Sequence, residues 1–157
     1  SKRCLFTYTD SLGYDKAALP VPPDHARNKI AEILAKGRVE EELGACRART
    51  GEYAEALAVF RDLSAQAQSG EDMLAVWELA ARNLLNRAKA STLLLEARAA
   101  GGGEKQSGYD ACAVLEEMRA LRDETHAFYS GVVKPARRTE MMAWMYASVE
   151  KALEEIA

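Results

Sequence analysis

Cysteine is scarce in this sequence, with three in 157 residues. Cys4, Cys46 and Cys112 are far apart, and no two of them have the spacing of metal ligands. An odd number of such residues excludes a complete disulfide framework. We therefore expect reduced thiols that pack as small hydrophobic groups, which indicates a cytoplasmic protein.

Long apolar runs are also missing. The longest uncharged apolar run, residues 141–149, is far shorter than the roughly 20 residues that cross a bilayer, so no membrane partner is expected. The first residues, Ser1-Lys2-Arg3, do not begin a signal peptide. Because the sequence does not begin with methionine, we expect a processed chain or a domain excised from a longer protein.

Neither sign of charge is in large excess. The net charge is −3 and the calculated pI is about 5.5. Lys134, Arg137 and Arg138 form the one compact basic group, which is too small for a nucleic-acid-binding face and is interpreted as a solvated corner. No nucleic-acid partner is therefore expected.

Histidine occurs only twice. His126 follows Asp123 by three residues, so the two share a helix face. Carboxylate-x-x-His is the spacing of di-metal helix bundles, but such a site needs two of these motifs and two further carboxylates. His25 has no acidic residue at the matching position. We interpret Asp123 and His126 as an exposed salt-bridged pair, predict no metal, and keep a metal-binding bundle as a third hypothesis.

Signatures of catalysis are lacking too. No nucleophile lies on a sharp glycine-flanked turn. Gly101-Gly102-Gly103 follows a predicted helix rather than a strand and has no Lys-Ser/Thr partner, which argues against a phosphate loop. We assign no catalytic residue and expect no cofactor.

What the sequence does contain is a set of long amphipathic stripes. Hydrophobic residues make up 48% of a chain that has the size of one domain, enough for a core without metal or disulfides. Apolar residues recur at steps of three and four, which is typical of helices that pack against other helices. The stripes are Tyr53, Leu57, Phe60, Leu63 and Ala67; then Ala111, Val114, Leu115, Met118, Leu121, Thr125, Phe128, Tyr129 and Val132; then Met142, Met145, Val149, Leu153 and Ile156.

These stripes predict an all-α fold, an antiparallel bundle of about six helices of which three are long, in a single domain at 24–157. An irregular arm at 1–23 precedes it, which could equally be a former interdomain connection, and a flexible glycine-rich linker is predicted at 101–108. The fourth helix is expected to be central. The predicted helices are 24–36 after an Asp24 cap, 38–50 up to Gly51, 52–68 up to Ser69-Gly70, 71–100, the stretch from a Ser107 cap to about 133, and 135–156 with Pro135 in its first turn.

Aromatic residues and methionines suggest a partner-binding face, because an exposed cluster of this kind suits protein contacts. Burial in the core is the alternative interpretation of the same spacing. The candidate partner-binding residues are Tyr53, Phe60, Trp77, Met141, Trp144 and Tyr146.

One short stretch resembles a single tetratricopeptide-like helical hairpin at residues 43–60. In that motif a small residue lets two helices approach and a glycine ends the first helix. The repeat does not recur 34 residues later, so no solenoid is expected. The residues that carry the resemblance are Leu43, Gly44, Gly51, Tyr53, Ala56 and Phe60.

Three other stretches, in order, resemble the C-terminal α-helical domain of bacterial family 20 β-N-acetylhexosaminidases. They are LFTYTDSLGYD at 5–15, ELGACRARTGEYAEAL at 42–57, and ALRDETHAFY at 120–129 followed by Lys134-Pro135. The resemblance implies a parent enzyme that hydrolyses terminal N-acetylhexosamine residues. No residue here corresponds to that family's catalytic Asp-Glu pair, so no catalytic role is carried over.

Two further hypotheses of function follow. The first is a non-catalytic accessory or dimerisation domain, possibly excised from such a glycoside hydrolase, whose partner is its own catalytic domain or a second copy. The alternative is a stand-alone helical adaptor that binds a protein beside Tyr53, Phe60 and Trp77.

Overall fold

The computed structural model describes residues 23–99, 107–131 and 133–157, which contain helices and no strand. The all-α prediction is confirmed for these residues. The arm predicted at 1–23 lies outside them except for its last residue, as does most of the predicted linker. The helices are α1 (His25–Ala35), α2 (Val39–Gln66), α3 (Glu71–Ala99), α4 (Ala111–Ser130), α5 (Pro135–Met142) and α6 (Ser148–Glu154), with a π-helical turn at Ala143–Ala147 between the last two.

The first helix ends as predicted but begins differently. Gly37 has a φ of +63°, the left-handed conformation that terminates a helix. Asp24 precedes the helix without capping it through its side chain. Its carboxylate instead accepts a hydrogen bond from Nζ of Lys151 at 2.7 Å, which joins the start of α1 to α6. Lys36 and Lys29 hydrogen-bond to Glu32 and lower the pKa of that carboxyl to about 2.

The predicted helix end at Gly51 is wrong. Helix α2 is continuous over 28 residues, so residues 43–60 lie within one helix rather than across a turn. A Cβ added at Gly44 or at Gly51 would meet no atom within 4 Å, so neither glycine permits a close helix approach. Two predicted helices are therefore one. Since α5, the π turn and α6 also run without a break, the described residues form five helical rods rather than about six.

Helix α3, which corresponds to the fourth predicted helix, is central, as predicted. It follows a turn at Gly70, whose φ is +79°, and extends over 29 residues. All seven residues from 90 to 96 are buried, which covers about two full turns and therefore every face of the helix. Helix α3 packs against α2, α4, α1 and α6. Ion pairs show how α3 runs relative to α2 and α4. Arg47 pairs with Glu96 at 3.5 Å and Arg82 with Glu124 at 2.9 Å, so both neighbours are antiparallel to α3.

Helix α4, which corresponds to the fifth predicted helix, is capped by Asp110 rather than by Ser107. The Asp110 carboxylate accepts a hydrogen bond from the backbone N–H of Cys112 at 3.0 Å. The Ser107 hydroxyl instead donates to the buried carboxylate of Glu96 at 2.7 Å. The predicted stripe is buried from Ala111 to Thr125, whereas Phe128 is 41% exposed.

The last helical rod returns antiparallel to α4. Pro135 lies in the first turn of α5, as predicted. Glu150 of α6 accepts hydrogen bonds from Arg119 at 3.0 Å and from Arg122 at 2.7 Å. Met142, Met145, Val149 and Leu153 are buried, as their spacing predicts. The core thus lies between α1, α3, α4 and the α5–α6 rod, and α2 covers the remaining side of α3.

Candidate protein-binding surface

The contact face of α2 follows a regular spacing of three and four residues. This pattern, the seam of a two-helix coiled coil, passes through Gly51 without interruption. Cys46 and Leu57 are buried, with exposures of 1% and 7%, whereas Thr50 and Tyr53 between them and Phe60 and Ser64 beyond them are half-buried. The seam residues are Leu43, Cys46, Thr50, Tyr53, Leu57, Phe60 and Ser64; Ala67, which the sequence placed on the same stripe, lies beyond the end of α2 in an extended conformation.

Two aromatic side chains hold the hairpin together near its turn. The rings of Phe60 and Trp77 stack with a centroid distance of 5.9 Å and an interplanar angle of 28°. One residue further along each helix, Nε of Arg61 donates to Glu78 at 3.2 Å. Together with the Arg47–Glu96 pair at the far end of the two helices, these contacts near the turn show that α2 and α3 are antiparallel. Phe60 and Trp77, predicted from the sequence to lie at one surface, are therefore in direct contact.

Beside this stack lie three large apolar side chains that are about half exposed or more. Val59 is 56% exposed, Leu63 48% and Met73 65%. We name these three residues the distal apolar strip. The sequence placed Leu63 on the inward stripe of its helix, and that placement is wrong because the inward position is taken by Ser64.

Helical geometry places the whole strip on one side of the hairpin. At about 100° per residue, Val59 and Leu63 are rotated by roughly −100° and −60° from Phe60, and Met73 by roughly −40° from Trp77. Because Phe60 and Trp77 face each other across antiparallel helices, rotations of the same sign lead to the same side. The three side chains therefore share one face, with a shallow polar depression at the turn beside Met73.

The hairpin around the strip is acidic. Residues 52–78 contain six acidic residues and a single basic one, Arg61, which gives a net charge of −5 against −3 for the whole chain. The remainder of the chain therefore carries a net positive charge. The acidic residues are Glu52, Glu55, Asp62, Glu71, Asp72 and Glu78.

The structure does not bring all six predicted partner-binding residues together. Tyr53 and Phe60 lie on the α2 seam and Trp77 on α3, all partly buried. Met141, on α5, packs against the core, and Tyr146 is 3% exposed. Trp144 belongs to the π turn, and its side chain lies outside the described part of the structure.

Tyr146 instead belongs to a buried polar cluster that sequence analysis missed. Its hydroxyl donates to Oδ1 of Asn83 at 2.5 Å and lies 2.9 Å from Oγ1 of Thr125. Arg87, 3% exposed, donates from Nη1 to the backbone carbonyl of Met145 at 2.8 Å, inside the π turn. A π turn displaces the usual helical hydrogen bonds, and the arginine supplies a donor there. The only available signal was the polar residues on a helix predicted to be central.

Asp123 and His126 are not joined by the predicted ion pair among the contacts of the described residues, where Asp123 pairs with Arg122. Both are exposed, and Asp123 accepts a hydrogen bond from its neighbour Arg122 at 3.2 Å. No group of three or more His, Cys, Asp or Glu side chains within the described ranges could hold a metal ion. Among the same residues no helix combines the length and apolar character needed to cross a bilayer.

Comparison of this chain with protein-family models, with curated protein sequences and with solved structures finds no match in any of the three.

Proposed function

We propose that this chain is a non-catalytic helical accessory module that binds another protein surface through the distal half of its α2–α3 hairpin. The observation that carries the proposal is the distal apolar strip, where Val59, Leu63 and Met73 are all about half exposed or more on one face. Isolated exposed apolar residues are ordinary, but a contiguous group on one face is typical of an interaction site.

The form of the hairpin supports this proposal. Helix α2 packs against α3 and, near its start, against α1, so its distal half has one neighbouring helix among the described residues. The Phe60–Trp77 stack joins the two helices, and the adjacent strip residues remain exposed. A rigid surface that is formed before binding loses little conformational entropy when a partner docks.

Site-specific photo-crosslinking tests the proposal. A photoreactive residue replaces Met73, and in a matched control it replaces Ala58, which is exposed on the side of α2 that faces away from α3, about 100° from Val59 and 140° from Leu63. We expect one discrete partner to be labelled from position 73 and not from position 58. With that partner purified, Leu63→Asn is expected to weaken binding about tenfold, because central apolar contacts carry most of the binding energy.

Equal labelling from both positions, or unchanged affinity in Leu63→Asn, would contradict the proposal. Because only about half of the Leu63 side chain is buried, the substitution is expected to lower the free energy of unfolding by about 1 kcal/mol, less than a core truncation. A circular-dichroism melt of the variant checks this, so lost binding can be separated from lost folding.

The resemblance to the helical domain of family 20 β-N-acetylhexosaminidases supplies a candidate for the partner, a catalytic barrel in the same polypeptide. Stretches 5–15 and 120–129 support it, whereas stretch 42–57 lies within the continuous helix α2 and no longer supports a break at Gly51. The complete reading frame tests it, since a barrel-sized segment upstream is required. Hydrolysis of an aryl N-acetylglucosaminide by this chain alone would contradict the non-catalytic part of the proposal.

A cytoplasmic location belongs to the same proposal. The free thiol of Cys112, which is exposed, supports it. An exposed thiol persists more readily in a reducing compartment. Fractionation of the source cells, with detection of this chain by antibody, tests the location.

A further inference from the structure

The charge around the distal apolar strip restricts what can bind there. We propose that the strip receives a positively charged amphipathic segment of a protein partner, whose apolar side contacts the strip and whose lysines or arginines face the acidic residues around it. This inference rests on the proposed function and specifies the chemistry of its partner.

Each residue of the strip has an acidic neighbour. Glu55 lies one helical turn before Val59, and both side chains are on the same face of α2. Asp62 and Asp72 directly precede Leu63 and Met73 in the sequence, and both are exposed. Residues four apart on a helix have Cβ atoms roughly 5–6 Å apart. This is less than the screening length of about 8 Å at physiological salt, so a cation bound at the strip would be attracted by these carboxylates.

The distal end of the hairpin, residues 52–78, contains one basic residue against six acidic ones. Arg61 is the only basic residue between 52 and 78, and its guanidinium is paired with Glu78 at 3.2 Å. A partner segment with lysines or arginines beside its apolar residues would satisfy both features of the surface. A segment that is apolar and acidic would place like charges together, which lowers affinity and the rate of association.

The same argument disfavours a second copy of this chain as the occupant. In a two-fold symmetric contact, a patch meets the identical patch of its partner. The distal ends of two hairpins, residues 52–78 with a net charge of −5 in each copy, would then face one another. Their repulsion would oppose the contact between the exposed apolar residues.

Two synthetic peptides test the proposal. Both are about 18 residues long, or five helical turns, and carry the same leucine stripe, with lysine at every charged position in one and glutamate in the other. Each is titrated into the complete chain while backbone amide resonances are followed by NMR. We expect the lysine peptide to perturb the amides of Val59, Leu63 and Met73, to bind at least about tenfold tighter than the glutamate peptide, and to weaken as salt is added.

Matched variants locate the contact. Leu63→Ser is expected to weaken the lysine peptide at least about fivefold, and Phe128→Ser, which removes an exposed apolar side chain of α4 outside the strip, is expected to leave it unchanged. If perturbations are spread over the whole acidic surface, or if both variants behave alike, the proposal is overturned.

The remaining outcomes identify which part of the reasoning fails. Equal affinity for the two peptides at the same residues overturns the charge preference while leaving the proposed protein-binding surface intact. No binding by either peptide, together with no crosslinked partner from position 73, overturns both. A dimer in sedimentation that Leu63→Ser dissociates would assign the strip to a second copy. If the lysine peptide binds only after residues 1–22 are removed, the strip would be assigned to this chain's own N-terminal segment. This result and the dimer would each overturn the proposal.

Discussion

Gly51→Ala is expected to stabilise the protein, because Gly51 lies within the long helix α2. Glycine in a helix costs conformational entropy that alanine does not. The new methyl group would meet no atom within 4 Å, so no steric penalty offsets the gain. Had a helix ended at Gly51, as its sequence suggests, the same substitution would have been destabilising.

The expected gain in the free energy of unfolding is about 1 kcal/mol, the difference in helix propensity between glycine and alanine. Gly44→Ala meets the same conditions, since a Cβ there also has no neighbour within 4 Å. The double variant should therefore gain about 2 kcal/mol if the two sites act independently. For a chain of this size, each kcal/mol raises the melting temperature by about 2–4 °C.

Urea denaturation followed by circular dichroism measures these changes. Gly37→Ala is the matched control, because Gly37 has a φ of +63° that alanine adopts at a cost of roughly 1–2 kcal/mol. We expect opposite signs at positions 51 and 37. A loss of stability in Gly51→Ala comparable with that of Gly37→Ala would refute a continuous α2.

Two further predictions concern the interior and the surface. Tyr146→Phe removes the hydroxyl that donates to Oδ1 of buried Asn83 at 2.5 Å. The free energy of unfolding, measured by urea titration, should fall by about 2 kcal/mol. A loss below about 0.5 kcal/mol would contradict this buried hydrogen bond. Hydrogen bonds from Lys36 and Lys29 lower the pKa of Glu32 from 4.5 to about 2. The stabilisation from ionised Glu32 is therefore complete above pH 4.5 and lost as the pH falls towards 2. Glu32→Gln should remove that contribution, so its stability should decline less over this range in acid titrations, and an unchanged acid profile would argue against these ion pairs.

The parts of the fold that the sequence predicts well are those where one strong local signal acts alone. Gly37 and Gly70 both adopt positive φ at helix ends, where no other residue type is as well tolerated. The stripe from Ala111 to Thr125 is buried as its spacing requires. In each case the residue type and the backbone conformation agree.

Gly51 fails as a helix end because a competing signal is stronger. The seam continues in steps of three and four from Thr50 to Tyr53 and Leu57, directly across the glycine. Packing along a seam is worth more than the roughly 1 kcal/mol that a glycine costs inside a helix. The spacing was visible in the sequence, and weighting it above the glycine would have predicted one helix.

Other features depend on contacts between distant parts of the chain. The hydrogen bond from Arg87 to the carbonyl of Met145 joins residues 58 positions apart. The exposure of Leu63 depends on whether a third helix covers α2, which its own spacing does not encode. Local patterns identify which residues are apolar, whereas the cover over them is decided by tertiary packing.

Helix α3 belongs to the hairpin at its first residues and to the core at its last, and α2 near the α2–α3 turn has only α3 beside it among the described residues. An insertion of seven residues on each side of that turn would add two turns to both helices, about 10 Å, and preserve the register of the seam. The reach of the hairpin is therefore an adjustable dimension of this architecture, one that evolution or protein engineering can extend without redesigning the interior.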